Sequence, residues 1–140
     1  MGKINLSRVI LGGLVAGVVI NILEFLTHEV LLKAQHAEAM KALGRTMPEG
    51  GQTMAVWMIY GLLWGLAAIW VYAAIRPRFG AGAGTAFKAA LVAWFFGAFL
   101  VEISMWNLQL MPFSVAESAA ELVASVLAVM AGAAVYKEAP

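Results

Sequence analysis

Four long apolar stretches make up most of this 140-residue chain. They cover about residues 8–32, 53–75, 88–111 and 114–136. Each reaches the length of roughly 20 apolar helical residues that crosses the hydrocarbon core of a bilayer. The pattern therefore predicts four transmembrane helices. Because these spans use most of the chain, we expect residues 1–140 to form a single all-α membrane domain.

The composition agrees with a membrane protein and excludes other classes. Hydrophobic residues account for 63% of the chain and charged residues for 12%, whereas soluble domains carry roughly 25% charged residues. The formal net charge of +1 is far from the basic surface of nucleic-acid-binding proteins, so no nucleic-acid partner is expected. The chain has no cysteine, which excludes disulfides and thiolate metal sites.

Glycine and proline mark the breaks between the spans. Gly44 and the Met-Pro-Glu-Gly-Gly segment 47–51 separate the first two spans. Arg-Pro-Arg at 76–78, followed by a Gly/Ala tract, predicts the second break, and Met111-Pro112 predicts a very tight third turn.

A short helix is expected between the first span and the first break. Residues 33–43 carry polar side chains at helical spacing, and we expect this helix to lie at the membrane interface. The side chains expected to face water are Lys33, His36, Glu38 and Lys41.

The basic residues predict the orientation of the chain. Short cytoplasmic loops carry an excess of lysine and arginine. One side holds Lys3, Arg8, Arg76, Arg78, Lys88 and Lys137, and the other holds Lys33, Lys41 and Arg45. The first side is therefore predicted to be cytoplasmic, with both termini on it.

Small residues give every span a face for close helix packing. The first span has Gly13 and Gly17 at GxxxG spacing, and the second has Gly61 and Gly65. The third span contributes Ala93 and Gly97, and the fourth a stripe of Ala116, Ala120, Ala124, Ala128 and Gly132. We expect a compact four-helix bundle in which the third and fourth helices are antiparallel neighbours. The same faces could instead form a homo-oligomer or dock onto a larger membrane complex.

Ionisable side chains inside the spans are the main functional signal. Each costs at least ~2.5–3.5 kcal/mol in a membrane helix, so it is a functional candidate. A rise of about 1.5 Å per residue places Glu24, Glu102 and Glu121 at one depth, in the outer half of the bilayer. A second layer farther out holds His28, Glu117 and Asn107.

The spacing of these residues predicts that they point into the bundle. Glu24 and His28 are separated by four residues, as are Glu117 and Glu121, so each pair shares a helix face. Those faces also carry the small residues of the first and fourth spans. The predicted metal ligands are Glu24, His28, Glu102, Glu117 and Glu121, supported by Asn21, Tyr60 and Asn107.

Three carboxylates in one low-dielectric pocket require protons or a cation for compensation. Glutamate oxygens with one imidazole suit a divalent metal such as Zn, Mn or Fe. Four-helix di-iron proteins use two Glu-x-x-His motifs, whereas within its spans this chain has a single histidine, four residues after Glu24. The sequence therefore predicts a cation or proton site without predicting a di-iron enzyme.

Other readings remain open for these residues. Glu24, Glu102 and Glu121 could be a protonated, hydrogen-bonded trio that fixes helix register. Glu117 lies near a helix start, where the dipole favours an acid. The chain would then be a structural or accessory subunit without chemistry of its own. No nucleophile triad or phosphate-binding loop is present, so an enzyme is the third and least favoured of these hypotheses.

The inner half of the four spans has no ionisable residue between this cluster and the basic loops. This favours a site that opens on one side, or a route completed at an oligomer interface, over a complete transport path within one bundle.

The segment from Arg8 to Phe25, RVILGGLVAGVVINILEF, resembles the first helix of small bacterial membrane proteins that have no assigned activity. The resemblance covers about a fifth of the chain. It implies a bacterial inner-membrane location and transfers no functional residue.

Overall fold

The computed structural model describes residues 4–138, and every regular element in that range is a helix. The helices are α1 (Leu6–Leu31), α2 (Lys33–Ala42), α3 (Gly51–Phe79), α4 (Ala83–Asn107) and α5 (Val115–Val135). The long helices α1, α3, α4 and α5 have the length and composition needed to cross a membrane. Lys3, one of the basic residues in the orientation prediction, lies outside the described residues.

The four long helices form an up-and-down bundle. Helix α1 packs against α3 and α5, and α4 packs against the same two helices. The start of α1 meets the end of α5, where the Asn5 amide donates a hydrogen bond to the Tyr136 hydroxyl at 3.3 Å. Asn21 near the far end of α1 donates to the Met58 carbonyl at 3.0 Å, near the start of α3. The predicted antiparallel pairing of the third and fourth spans is also present.

The glycine motifs of α1 and α3 face each other. A Cβ added at Gly65 would collide with the Gly13 carbonyl and the Gly17 backbone. A Cβ added at Gly17 would lie 2.7 Å from the Leu62 Cα. The absence of side chains on both helices therefore lets their backbones touch. These motifs close the bundle within one chain.

Helix α1 also crosses α5 at a glycine pair. A Cβ at Gly12 would lie 2.7 Å from the Gly132 carbonyl oxygen. Gly132, Ala128 and Ala124 are buried, whereas Ala116 at the start of the predicted stripe is exposed. The C-terminal part of the stripe in α5, from Ala124 to Gly132, therefore packs inside the bundle.

The second break differs from the prediction, because α3 continues through Pro77 to Phe79. Proline removes one backbone donor and crowds the preceding turn, so its effect is smallest where a helix is already ending. The helix instead ends at Gly80, which has φ +82° and whose amide donates to the Arg76 carbonyl at 2.8 Å. Glycine adopts this left-handed conformation without steric cost.

The third turn is also longer than predicted. Helix α4 ends at Asn107, four residues before Met111. Gln109 has φ +57°, a left-handed conformation that a continuing α-helix does not contain. Helix α5 then begins after Ser114, whose hydroxyl accepts a hydrogen bond from the Glu117 amide at 3.3 Å.

The two halves of the bundle differ in their interior. The half that contains the start of α1 and the end of α3 is filled by apolar side chains, including the fully buried Ile69 and Val129. The half that contains the end of α1 and the start of α5 holds the charged side chains described next. Among the described residues, the acidic and imidazole side chains of the helices therefore lie at this end of the bundle, whereas the Arg76–Glu138 ion pair lies at the other.

Candidate metal centre

The end of α1 departs from regular α-helical geometry. Residues Leu6–Phe25 are α-helical, and Leu26–Leu31 form a π-helical turn that contains His28. Such turns are rare and occur frequently at functional sites. Here the turn leaves the His28 Nε2 atom 2.9 Å from Glu24 Oε2, one turn earlier on α1.

Glu24, His28 and Glu121 form the first group of candidate ligands. His28 Nε2 lies 2.9 Å from Glu24 Oε2 and 2.9 Å from Glu121 Oε1. A ring nitrogen carries at most one proton, so it cannot donate a full hydrogen bond to both carboxylates. A cation among the three atoms would interact favourably with all of them.

His28, His36 and Glu117 form the second group. His36 Nε2 lies 3.1 Å from Glu117 Oε1, and His28 Nδ1 lies 3.9 Å from the same oxygen. The two imidazole rings stack with centroids 5.0 Å apart and planes 26° apart. We refer to the five residues of both groups as the Glu/His cluster: Glu24, His28, His36, Glu117 and Glu121.

His36 corrects the prediction that its side chain faces water. The residue is buried, with 6% of its surface exposed. The helical geometry breaks at Leu32, with φ −109° and ψ 4°, and α2 then brings His36 to Glu117 of α5. The spacing from His28 to His36 is eight residues, close to two helical turns of 3.6 residues each. Because the helix breaks between the two histidines, this spacing alone does not place them on one side.

Glu102 was predicted to join the deeper layer, and the structure leaves it beside the cluster. It belongs to neither group of candidate ligands. Its carboxylate still lies within electrostatic range of Glu117, Glu121 and His28. Both of its oxygens are buried and have no hydrogen-bond partner among the described residues. Glu102 is therefore a partly buried acid next to the cluster, with Ser118 of α5 as its nearest polar neighbour.

The three supporting residues take other positions. Asn21 contacts α3 through its hydrogen bond to Met58. The Tyr60 hydroxyl donates to the Gly97 carbonyl at 3.4 Å, which joins α3 to α4. Asn107 is exposed at the last turn of α4. In the described part of the chain, none of the three belongs to either group of candidate ligands.

Glu117 could serve the cluster or only the start of its helix, and its contacts distinguish the two roles. Its amide is capped by the Ser114 hydroxyl, as expected for the first turn of a helix. Its carboxylate, however, contacts His36 and His28. The side chain therefore belongs to the cluster, although its place near the helix start is also favourable for an acid.

The side chains of the cluster are partly buried, and some of them are in contact with the surroundings of the bundle. The side chains of His36 and Glu121 are 8% and 11% exposed, and those of His28 and Glu24 are 33% and 29% exposed. Within residues 4–138, no lysine or arginine forms an ion pair with these glutamates. The ion pairs that involve lysine or arginine there join Lys33 to Glu29 and Arg76 to Glu138.

Each group could hold a metal ion. In both groups the ligand atoms lie within 4.8 Å of one another. Ligand atoms on a tetrahedral zinc with bonds of about 2.0–2.1 Å are roughly 3.3 Å apart. The 2.9 Å and 3.1 Å separations in the two groups are close to that value. The separation of 3.9 Å between His28 Nδ1 and Glu117 Oε1 is longer. Side-chain rotations would therefore bring three ligand atoms of each group to a metal ion and leave a fourth position open.

No protein-family model, curated protein or solved structure matches the chain.

Proposed function

We propose that this chain is an integral membrane protein that binds a divalent cation, of the Zn, Mn or Fe class, at the Glu/His cluster. The observation that carries the proposal is the convergence of carboxylates and imidazoles from α1, α2 and α5. Three separate segments place these side chains within ligand distance of one another. Imidazole nitrogen and carboxylate oxygen together suit borderline and hard divalent metals.

The outer surface of the bundle supports the membrane location. Large apolar side chains are exposed along the helices, for example Val18 and Ile22 on α1 and Leu127 on α5. A soluble monomer rarely exposes such continuous apolar surface. Exposed tryptophans lie near both ends of the bundle, Trp57 and Trp106 at one and Trp70 toward the other, as in the aromatic belts of membrane proteins.

The charge of the site supports a cation over a purely structural network. Glu24, Glu117 and Glu121 share the pocket with two imidazoles, and Glu102 lies beside them. Carboxylates this close repel one another unless a proton or a cation compensates them. A metal ion can interact with several of these oxygens at once, whereas one proton on a ring nitrogen of His28 can be donated fully to only one of them.

The fold favours binding from one side over conduction. Below the cluster, Ile20, Ala124 and Ala128 are buried, and the larger apolar core follows. Within residues 4–138, the helices of that half carry no carboxylate or imidazole that could bind a charged ion. With both termini cytoplasmic in a bacterial inner membrane, the proposed site opens toward the outer face, next to α2.

The proposal is tested by metal analysis of detergent-purified full-length protein. Glu24→Gln and Glu121→Gln remove one carboxylate charge each while keeping the side-chain shape. We expect wild type to retain zinc, manganese or iron, and both variants to retain clearly less of it. The matched control is Glu29→Gln, because Glu29 is on the same helix and pairs with Lys33 outside the cluster.

The stability of the protein in the presence of metal gives the second measurement. A metal that binds only the folded protein raises its stability by RT ln(1 + [L]/Kd). Adding zinc to the stripped protein should therefore raise the unfolding midpoint of wild type and Glu29→Gln, with a smaller rise in Glu121→Gln. Wild type that stays metal-free and gains no stability from zinc, manganese or iron contradicts the proposal and favours a structural or accessory subunit.

A further inference from the structure

We propose that the Glu/His cluster holds two divalent cations that share the imidazole of His28. This inference rests on the proposed metal-binding function and adds the number and arrangement of the ions. In this arrangement one ring nitrogen of His28 binds the first ion and the other ring nitrogen binds the second.

The two nitrogens of His28 face different partners. Nε2 lies 2.9 Å from Glu24 Oε2 and from Glu121 Oε1. Nδ1 lies 3.9 Å from Glu117 Oε1, and that oxygen is 3.1 Å from His36 Nε2. The two nitrogens sit on opposite sides of the ring, so one ion cannot bind both. Each nitrogen therefore belongs to its own ligand set.

The two ligand sets overlap at one residue only. The inner set adds Glu24 and Glu121 to His28, and the outer set adds His36 and Glu117. Each set thus supplies three protein ligands, the number that zinc sites with an open fourth position use. Glu102, whose two carboxylate oxygens are buried, is close enough to interact electrostatically with Glu117 and Glu121.

The charge in and around the pocket matches two ions better than one. Glu24, Glu117 and Glu121 with the adjacent Glu102 carry four negative charges when ionised. No lysine or arginine pairs with them in the described range. One divalent ion would balance half of the charge of these four carboxylates. Two divalent ions would balance all four, and the imidazolate form of His28 would add one further negative charge. Buried charges require such compensation.

Binding at the second nitrogen has a defined proton balance. Neutral imidazole carries one proton on one of its two nitrogens. When the second ion coordinates that nitrogen, the N–H bond breaks, the metal–nitrogen bond forms, and the proton leaves to water. The ring then bridges the two ions as imidazolate. No oxidant, reductant or other reactant is needed.

Zinc titration of the chelator-stripped, full-length protein in detergent tests the number of ions. We expect two zinc ions per chain in wild type and in the Glu29→Gln control. Glu117→Gln and His36→Gln each remove a ligand of the outer set and should leave one ion. Glu24→Gln should also leave one. Two variants for the outer set keep the test informative if one of them fails to fold.

Electron paramagnetic resonance with Cu²⁺ tests whether His28 is shared. Two copper ions joined by one imidazolate couple magnetically, so wild type should lose the signal of isolated copper. Glu117→Gln should restore that signal with a single bound ion. Two bound ions without magnetic coupling contradict the shared imidazole.

The failures of the two proposals are distinct. One zinc ion in wild type overturns the two-ion arrangement and leaves the metal-binding function intact. No bound zinc, manganese or iron overturns both. Two zinc ions that persist in Glu117→Gln, His36→Gln and Glu24→Gln alike overturn the assignment of the two ligand sets.

Discussion

At the scale of single residues, the polar side chains of the spans fall into two kinds. Those of the Glu/His cluster converge, with their ligand atoms close to one another. Asn21 instead hydrogen-bonds across a helix interface, to the Met58 carbonyl on α3. Side chains of the second kind stabilise the bundle and take no part in the proposed metal binding. Their contribution to the free energy of unfolding can be measured separately.

Replacing Asn21 should weaken the contact between α1 and α3. Asn21→Ala removes the hydrogen bond to Met58, and interhelical hydrogen bonds in membranes contribute about 0.6–2 kcal/mol. We expect the free energy of unfolding in detergent, measured by titration with a denaturing detergent, to fall by that amount. Zinc content should stay at the wild-type level.

Ser104→Ala is the control for Asn21→Ala. The Ser104 hydroxyl donates to the Leu100 carbonyl one turn earlier on the same helix, so its loss breaks no contact between helices. Equal destabilisation by the two substitutions would show that the Asn21 bond does not join α1 to α3 as described.

The sequence predicted part of the cluster because spacing on one helix is regular. Glu24 with His28, and Glu117 with Glu121, share faces as the four-residue spacing requires. Glu102 was assigned by depth alone, and depth does not fix the direction in which a side chain points around its helix. His36 was missed because its burial depends on the fold of α2 over the end of the bundle, a tertiary effect that the polar pattern of 33–43 does not contain.

At the scale of helices, the close crossing of α1 and α3 depends on glycine. Gly65 contacts the backbone of both Gly13 and Gly17, so even a methyl group has no space there. Elsewhere, glycines such as Gly84 have open space around them. The same substitution at the two sites therefore separates packing from helix propensity.

Gly65→Ala should destabilise the bundle by about 1–3 kcal/mol, the usual cost of overpacking a tight site. Gly84→Ala is the matched control, since nothing lies within 4 Å of the added Cβ. We expect this control to be neutral or slightly stabilising, because alanine favours helices over glycine. Unfolding in detergent measures both. A neutral Gly65→Ala would contradict the described crossing.

Helix existence was predictable, whereas helix ends were less so. The apolar runs identified four long helices because each run is long and continuous. Pro77 was interpreted as a break, but a proline in the last turn displaces little hydrogen bonding. The end of α4 depends on the left-handed Gln109, and glutamine gives no sequence signal for that conformation.

At the scale of the whole molecule, the bundle has a closed apolar half and an open polar half. The predicted excess of basic residues lies at the closed end. The lateral order of the helices could not be read from the sequence, because all four carry small-residue faces. The glycine motifs of α1 and α3 pack against each other within one chain. A homo-oligomer or larger complex formed through other faces stays a prediction.

Cysteine labelling tests the proposed topology. The chain has no cysteine, so a single introduced thiol reports one position. Arg45→Cys, between α2 and α3, and Lys137→Cys, after α5, are both at exposed positions. A membrane-impermeant maleimide should label Arg45→Cys in intact bacterial cells, and Lys137→Cys only after permeabilisation. Labelling of both in intact cells, or the reverse pattern, contradicts both termini being cytoplasmic.

The most direct test of the central claim is X-ray absorption spectroscopy of the zinc-loaded protein. The Glu/His cluster predicts nitrogen and oxygen neighbours at about 2.0–2.1 Å, with the outer scattering of imidazole rings from His28 and His36. In Glu24→Gln and Glu117→Gln, the zinc signal should weaken while the Glu29→Gln spectrum stays unchanged. A protein that retains no zinc, or a zinc shell without imidazole scattering, would contradict the account.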